Sequence, residues 1–346
     1  MNSREHRNNC FDIIRLFAAI IVIISHQYSL SGLSEPTFLG MTTLGGIGVI
    51  IFFAISGFLI TKSCINSERF DLFLLKRVRR IFPALIPCSI FMYLVLGVYL
   101  EWDTLDEYIS FSILKNILNV ITLQGAPAHS GIFNGFIHPY SLNDSLWTLP
   151  LEFTCYLILG CIVFLSKNTL RVILITFIAL LFISIYFLFN KTDIIFYGIV
   201  LQAFPVRALS FFTGAIMALT LNYWYNKRCI SYLLIISTIV LMAVAYKNEI
   251  NVIGYINIAI ITIVIGHIFK DNLIAGRFDY SYGVYIYSFP IQQIIINKLT
   301  LGFFEGTFIS IVVSLIFGFF SWHIVESKFI IKNKKIEQYS KVLSCW

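Results

Sequence analysis

The sequence predicts an all-α polytopic membrane protein of about ten transmembrane helices, with both termini cytoplasmic. Three observations carry that reading. Of 346 residues, 58% are hydrophobic and only 12% charged, with a mean hydropathy of +0.84. No soluble globular domain is so apolar. Ten apolar segments can be marked, at about 11–31, 44–62, 81–100, 145–165, 170–189, 195–221, 229–247, 252–269, 279–298 and 303–327, and each is long enough to be read as a span. The third observation is where the 25 Lys and Arg fall. Nineteen lie in the N-terminal lead, the tail and alternate loops, four (Lys115, Lys191, Lys247, Lys298) in the opposite loops, and two (Arg15, Arg207) inside spans. An even number of spans puts both termini on one side, and the basic excess makes that side the cytoplasm.

The same distribution accounts for the formal net charge of +7, so nucleic acid is dropped as a partner and membrane lipids are kept. Seven cysteines (Cys10, Cys64, Cys88, Cys155, Cys161, Cys229, Cys345) are scattered without metal-like spacing. They read as free thiols, with no metal and no disulfide framework. The chain shows no internal repeat and no soluble second domain. It reads as one integral-membrane domain over 1–346, with an outer-face loop at about 101–144 and a basic cytoplasmic tail from about 328.

The first span follows a short basic lead (Arg4, Arg7) and is too long for a signal-peptide core. No small-residue cleavage site follows His26-Gln27-Tyr28, so it is read as retained. Arg15 and His26 interrupt it. Eleven residues at about 100° each make three turns plus about 20°, so both project from one face, roughly 16 Å apart along the axis. An ionisable group inside a span needs a partner, water or substrate. The plainer reading is an Arg snorkelling to the cytoplasmic phosphates and a His hydrogen-bonded in the bundle.

Span two is Gly-rich (Gly45, Gly46, Gly48) and carries Ser56-Gly57, small residues that let a helix or an acyl chain approach the backbone closely. The next stretch, Lys76-Arg77-Val78-Arg79-Arg80, is either a topology determinant or a phosphate-binding patch suited to a nucleotide-bearing donor such as coenzyme A. The outer loop opens acidic (Glu101, Asp103, Asp106, Glu107). It continues through a mixed stretch, Leu105 to Leu123, that suits an interfacial helix, and then becomes Gly/Pro/His-rich from Gly125 to Pro139. A connection of this length reads as a solvated loop or as a lid or substrate platform.

Span four opens with Asp144, Trp147 and Glu152. Glu152 lies about a third of the way in from the outer side, near the expected depth of His26, and an imidazole is its natural partner. Span six holds the second intramembrane cation, Arg207. Span nine is tyrosine-dense, with Tyr280, Tyr282, Tyr285 and Tyr287, which interfacial packing also explains. Span ten closes on Trp322-His323-Ile324-Val325-Glu326.

In this order the pieces resemble the membrane acyltransferase family three, bacterial integral-membrane proteins that O-acylate surface glycans. The resemblance rests on Arg15 and His26 with ten residues between them and on Phe52-Phe53-Ala54-Ile55-Ser56-Gly57-Phe58-Leu59. It continues through Arg77 and Arg80 with Ile81 and Pro83, Trp147 to Glu152 with Tyr156, Ser281-Tyr282 with Tyr285, and Glu326. Where many members have a second His in span nine this chain has Ser288, so no catalytic His is assigned there. The extra extracytoplasmic hydrolase-like domain of some relatives is not expected.

The resemblance implies acyl-CoA, most often acetyl-CoA, as donor and a sugar hydroxyl as acceptor, in a lipid-linked or polymeric glycan such as lipopolysaccharide O-antigen or exopolysaccharide. It also implies the bacterial inner membrane. His26 is then the base, Glu152 its orienter, and Arg15 or Arg207 the cation facing the oxyanion. Arg77 and Arg80, with Arg15 and Ser56, are the donor-binding candidates. Asp144, Trp147 and Tyr282, with Arg207, are those for acceptor or oxyanion. Two other readings remain open, a lipid or solute transporter using Arg15, His26, Glu152 and Arg207, and an inactive relative that scaffolds glycan assembly. A transporter built on internal repeats would show them.

Overall fold

A computed structural model describes residues 9–100, 108, 110–127, 133, 135–139, 141–247 and 250–330. It is a helical bundle. The helices are α1 (Phe11–Leu30), α2 (Leu44–Ile65), α3 (Phe70–Ile90), α4 (Phe111–Ile121), α5 (Thr148–Leu165), α6 (Thr169–Phe189), α7 (Ala203–Leu219), α8 (Lys227–Val244), α9 (Asn251–Ile268), α10 (Ser281–Lys298) and α11 (Phe303–Phe320). Among the described residues, eight helical segments are long and apolar enough to cross a membrane. The protein is an all-α polytopic membrane protein.

Two of the ten expected segments depart from that standard, each for a visible reason. The segment at 195–221 opens as a β-hairpin, Ile195–Phe196 paired with Ile199–Val200. The two-residue turn, Tyr197 at φ 49° and Gly198 at φ 72°, is the doubly left-handed type that suits a hairpin. The helix that follows, α7, is left with only 17 residues. The segment at 279–298 forms α10, but Ser288, Gln292 and Gln293 are fully buried there. Gln292 Nε2 donates to the Ile23 carbonyl (2.9 Å) and to Gln27 Oε1 (3.0 Å) on α1. A polar helix is tolerated at this position because neighbouring helices satisfy its side chains.

The helix containing Lys76–Arg80 is also longer than expected. It begins at Phe70, runs through Pro83 and Pro87, and continues through a wide i→i+5 turn at Phe91–Leu96 to Leu100. The basic cluster is therefore helical, and Arg77 and Arg80, three apart, share a face. In the outer connection, α4 buries Ile113, Ile117 and Val120 and exposes Phe111, Leu114 and Leu118, the two-faced pattern of an interfacial helix. The acidic opening of that loop, the N-terminal lead, Cys345 and the tail beyond residue 330 lie outside the described residues. The six described cysteines are free thiols.

Helix α2 is the centre of the bundle, packed on α1, α5, α7 and α9. Its glycines make this possible. A methyl group on Gly57 would collide with the Phe211 carbonyl oxygen of α7, and one on Gly214 of α7 with the Ala54 carbonyl of α2. Gly57→Val is thus expected to force the two helices apart at a cost of about 1–3 kcal/mol or more. The check is the thermal midpoint of detergent-solubilised protein, and an unchanged midpoint would mean the backbones are not in contact.

Candidate active site

The first-span geometry extends to a neighbouring helix. Arg15 Nη1 donates to Asp279 Oδ2 (3.1 Å), just ahead of α10, while the His26 ring lies edge-on to Phe289 of α10, 5.3 Å between centroids and 80° between planes. Both side chains therefore address α10, as one shared face requires.

Asp279 is the hub of an ionic cluster at the Arg15 end. Arg80 of α3 donates through Nη2 to Asp279 Oδ2 (2.6 Å) and through Nη1 to Glu326 Oε2 (3.1 Å). Ser281 Oγ caps Asp279 Oδ1 (2.5 Å), and Ser321 Oγ caps Glu326 Oε1 (2.8 Å). Residues 321 and 326 meet because the end of α11 widens into a second i→i+5 turn, Ser321–Glu326, a distortion often found at functional sites. The two arms of one guanidinium thus join three elements, a use for which Lys would not substitute.

Above this cluster lies a cavity of about 460 Å³ whose walls include Arg15, Ser56, Arg77, Arg80, Glu152 and Tyr282. Lys76 and Arg79 extend its basic end, and Val49, Phe52, Thr148 and Tyr285 line the other. In its wall Glu152 Oε1 accepts from Ser56 Oγ (2.6 Å) and from the Tyr156 hydroxyl (2.5 Å), one turn along α5. Arg77 reaches Ser63 Oγ with Nη2 (3.4 Å), and its buried Nε has no hydrogen-bond partner. The two arginines of the basic cluster therefore differ. Arg80 is committed to two carboxylates, and Arg77 retains donor capacity inside the cavity. Tyr282 gives its hydroxyl to the Ile81 carbonyl (3.0 Å) and its ring to Arg80, so it belongs to the basic end.

Glu152 does not orient His26. Its hydrogen bonds go to Ser56 and Tyr156, and His26 Nδ1 is buried without a partner. The depth argument fails because α1 and α2 run antiparallel. Gly45 of α2 abuts Ser25, next to His26, and Ser56 lies eleven residues, about 16 Å, further along. A carboxylate bound to Ser56 is therefore near the depth of Arg15. Among the described residues, the ionisable groups that act on His26 are Glu35, Asp144 and His138. Glu35 accepts from Ser25 Oγ, and His138 Nε2 meets Asp144 Oδ2 at 2.8 Å.

Arg207 lies outside this cavity wall. Its guanidinium faces the Trp147 ring at 5.9 Å, and its Nε and Nη1 are buried without partners. Two candidates read from separate spans thus form one group, beside Thr148 and Tyr285, whose hydroxyls meet at 2.9 Å. Asp279, Glu35 and His138 were not singled out from sequence. For Asp279 there was a signal, since an intramembrane Arg15 requires a counter-charge. For the other two there was none, because loop residues close on the bundle only in three dimensions.

The described side chains thus set a basic pocket toward one end of α1 and a buried imidazole toward the other. A family model described as Acyltransferase domain matches residues 8–323. The chain belongs to that family. This acyltransferase is 43% identical over 333 residues to the O-acetyl transferase of Shigella phage Sf6, covering 95% of this chain and 98% of the phage protein. It is 36% identical over 170 residues to Nodulation protein 10 of Rhizobium leguminosarum bv. viciae, covering 46% of this chain and 44% of that protein. No solved structure matches the acyltransferase. The resemblance read from its motifs is thus borne out over nearly the whole chain, and the protein is an O-acyltransferase of the membrane.

Proposed function

We propose that the acyltransferase moves an acetyl group from acetyl-CoA to a sugar hydroxyl of a bacterial surface polysaccharide, such as O-antigen or exopolysaccharide. In this reading it lies in the inner membrane with both termini cytoplasmic. The observation that carries the reading is the cavity joining Lys76, Arg77, Arg79 and Arg80 to a mostly apolar far wall at Val49, Phe52 and Tyr285. A nucleotide phosphate suits the basic mouth, and a thioester arm suits the interior. The Lys/Arg asymmetry favours a cytoplasmic mouth, where acyl-CoA is available, and leaves the His26 end facing outward toward the glycan.

The chemistry then divides along the axis. A sugar hydroxyl attacks poorly until a base takes its proton. His26 takes it as the oxygen bonds to the acyl carbon, the C–S bond breaks, and the imidazolium returns the proton to the departing thiolate. Arg207, with two unpaired N–H groups at the Trp147 end, is the cation that faces the developing oxyanion. Arg77, rather than Arg80, carries the main donor contact. A charged hydrogen bond is worth about 1.5–3 kcal/mol, so Arg77→Ala is expected to raise the donor KM about tenfold or more with kcat little changed. A KM that stays put would remove Arg77 from the donor site.

The reading itself is tested with purified protein, labelled acetyl-CoA and a lipid-linked glycan. An alkali-labile acetyl ester on the glycan is expected. Its absence over a panel of glycans, with labelled donor left intact, would overturn acetyl-CoA and a surface glycan as the donor and acceptor.

A further inference from the structure

One stripe of α10 collects the outer end of the molecule. Phe289, Gln293 and Asn297 stand four residues apart, on one helix face. Phe289 is buried and meets two imidazoles edge to face, His26 at 5.3 Å and 80° and His138 at 6.0 Å and 74°. Gln293 Nε2 donates to the His138 carbonyl (2.7 Å), and Asn297 Oδ1 accepts from the Ile137 amide (3.0 Å). The loop segment carrying His138 is therefore pinned to the same helix that His26 contacts. The imidazole is fixed a second time, because Asp144 Oδ2 meets its Nε2 at 2.8 Å. Asp144 belongs to a turn that is itself tied down, with the neighbouring Asn143 Nδ2 donating to the Ile286 carbonyl (2.7 Å) and Tyr285 to the Ser145 carbonyl (2.8 Å).

We infer that His138, locked by Asp144 and packed on the same Phe289 ring as His26, is an acceptor-positioning residue that holds the sugar with its reacting hydroxyl at His26. This rests on the proposed function above. Three features point to a ligand here. The His26 Nδ1 is buried with no partner, a state that a hydrogen-bonding substrate group would relieve. The His138 and Asp144 side chains remain about a third and nearly half exposed, at 34% and 45%, so a solvent-borne glycan can reach them. Their planar polar groups, with Glu35 bonded to Ser25 beside His26 in α1, offer both donors and acceptors, which is what a polyhydroxylated ring requires. The alternative is that the His138–Asp144 pair only fastens the loop.

The test uses full-length protein in lipid nanodiscs with acetyl-CoA and a lipid-linked glycan. His138→Ala is expected to raise the acceptor KM about tenfold or more while the donor KM moves by no more than about twofold. Asp144→Asn should shift the acceptor KM in the same direction by less, and the double variant should be no worse than His138→Ala, because the two act as one unit. His138→Gln, which keeps a donor to Asp144, should recover part of the loss. An acceptor KM unchanged in both His138→Ala and Asp144→Asn overturns the inference while leaving the proposed function intact. So does a parallel fall in thermal midpoint and rise in both KM values, the mark of a merely structural pair. Failure of the wild type to form any ester overturns both.

Discussion

His26→Ala is expected to lower turnover by roughly 10²- to 10⁴-fold, the range that a positioned general base supplies, while acetyl-CoA affinity stays near that of the wild type. The separation follows from the architecture. The proposed donor contacts lie in the cavity bounded by Arg77, Arg80, Glu152 and Tyr282, whereas His26 sits on the far stretch of α1 against Phe289. Arg15 and His26 share a face but are about 16 Å apart, so removing the imidazole leaves the cation end untouched. Single-turnover acyl transfer and equilibrium binding of acetyl-CoA, measured on the same preparation, check both halves. Turnover above half the wild-type value would remove His26 as the base. Equal losses of binding and turnover would mean that donor and base sites are not distinct. Glu152→Gln offers a contrast. Because Glu152 bonds Ser56 and Tyr156, its loss should affect the donor cavity and not the protonation of His26.

The fold was largely legible from sequence, since hydropathy and helical period act along the chain. The Arg15–His26 face was legible for the same reason, because eleven residues bring a helix back to the same side. What failed was inference across helices. Matching the depths of His26 and Glu152 needed the relative shift of α1, α2 and α5, and that shift shows in contacts such as Gly45 against Ser25 and Ser56 with Glu152. Arg77 and Arg80 look equivalent in a basic run. Only the packed structure distinguishes them, because Asp279 and Glu326, 199 and 246 residues later, bond Arg80 and not Arg77 among the described residues. His138 was invisible for a further reason. Its loop carries no periodic signal, and it becomes a fixed group only through Asp144, Gln293 and the α10 stripe.

Arg80→Ala should be the most damaging substitution for the fold. Arg80 is the only side chain bonded to both Asp279 and Glu326 among the described residues, and Glu326 is 1% exposed. Removing it strands a buried carboxylate and leaves Asp279 with Arg15 alone. Breaking a buried pair from one side costs about 3–5 kcal/mol, mostly the penalty of the uncompensated charge that remains. The expected result is a large fall in thermal midpoint and in the yield of folded protein, well beyond that of Arg77→Ala. Two companions separate charge from shape. Arg80→Lys should recover only part of the stability, because one ammonium cannot place two donors on acids from different elements. Arg80→Met combined with Glu326→Gln should recover more, because the buried charge leaves with its partner. If Arg80→Ala instead keeps its midpoint and loses only donor affinity, the ionic cluster is not what joins α3, α10 and α11. Arg80 would then be a phosphate ligand equivalent to Arg77.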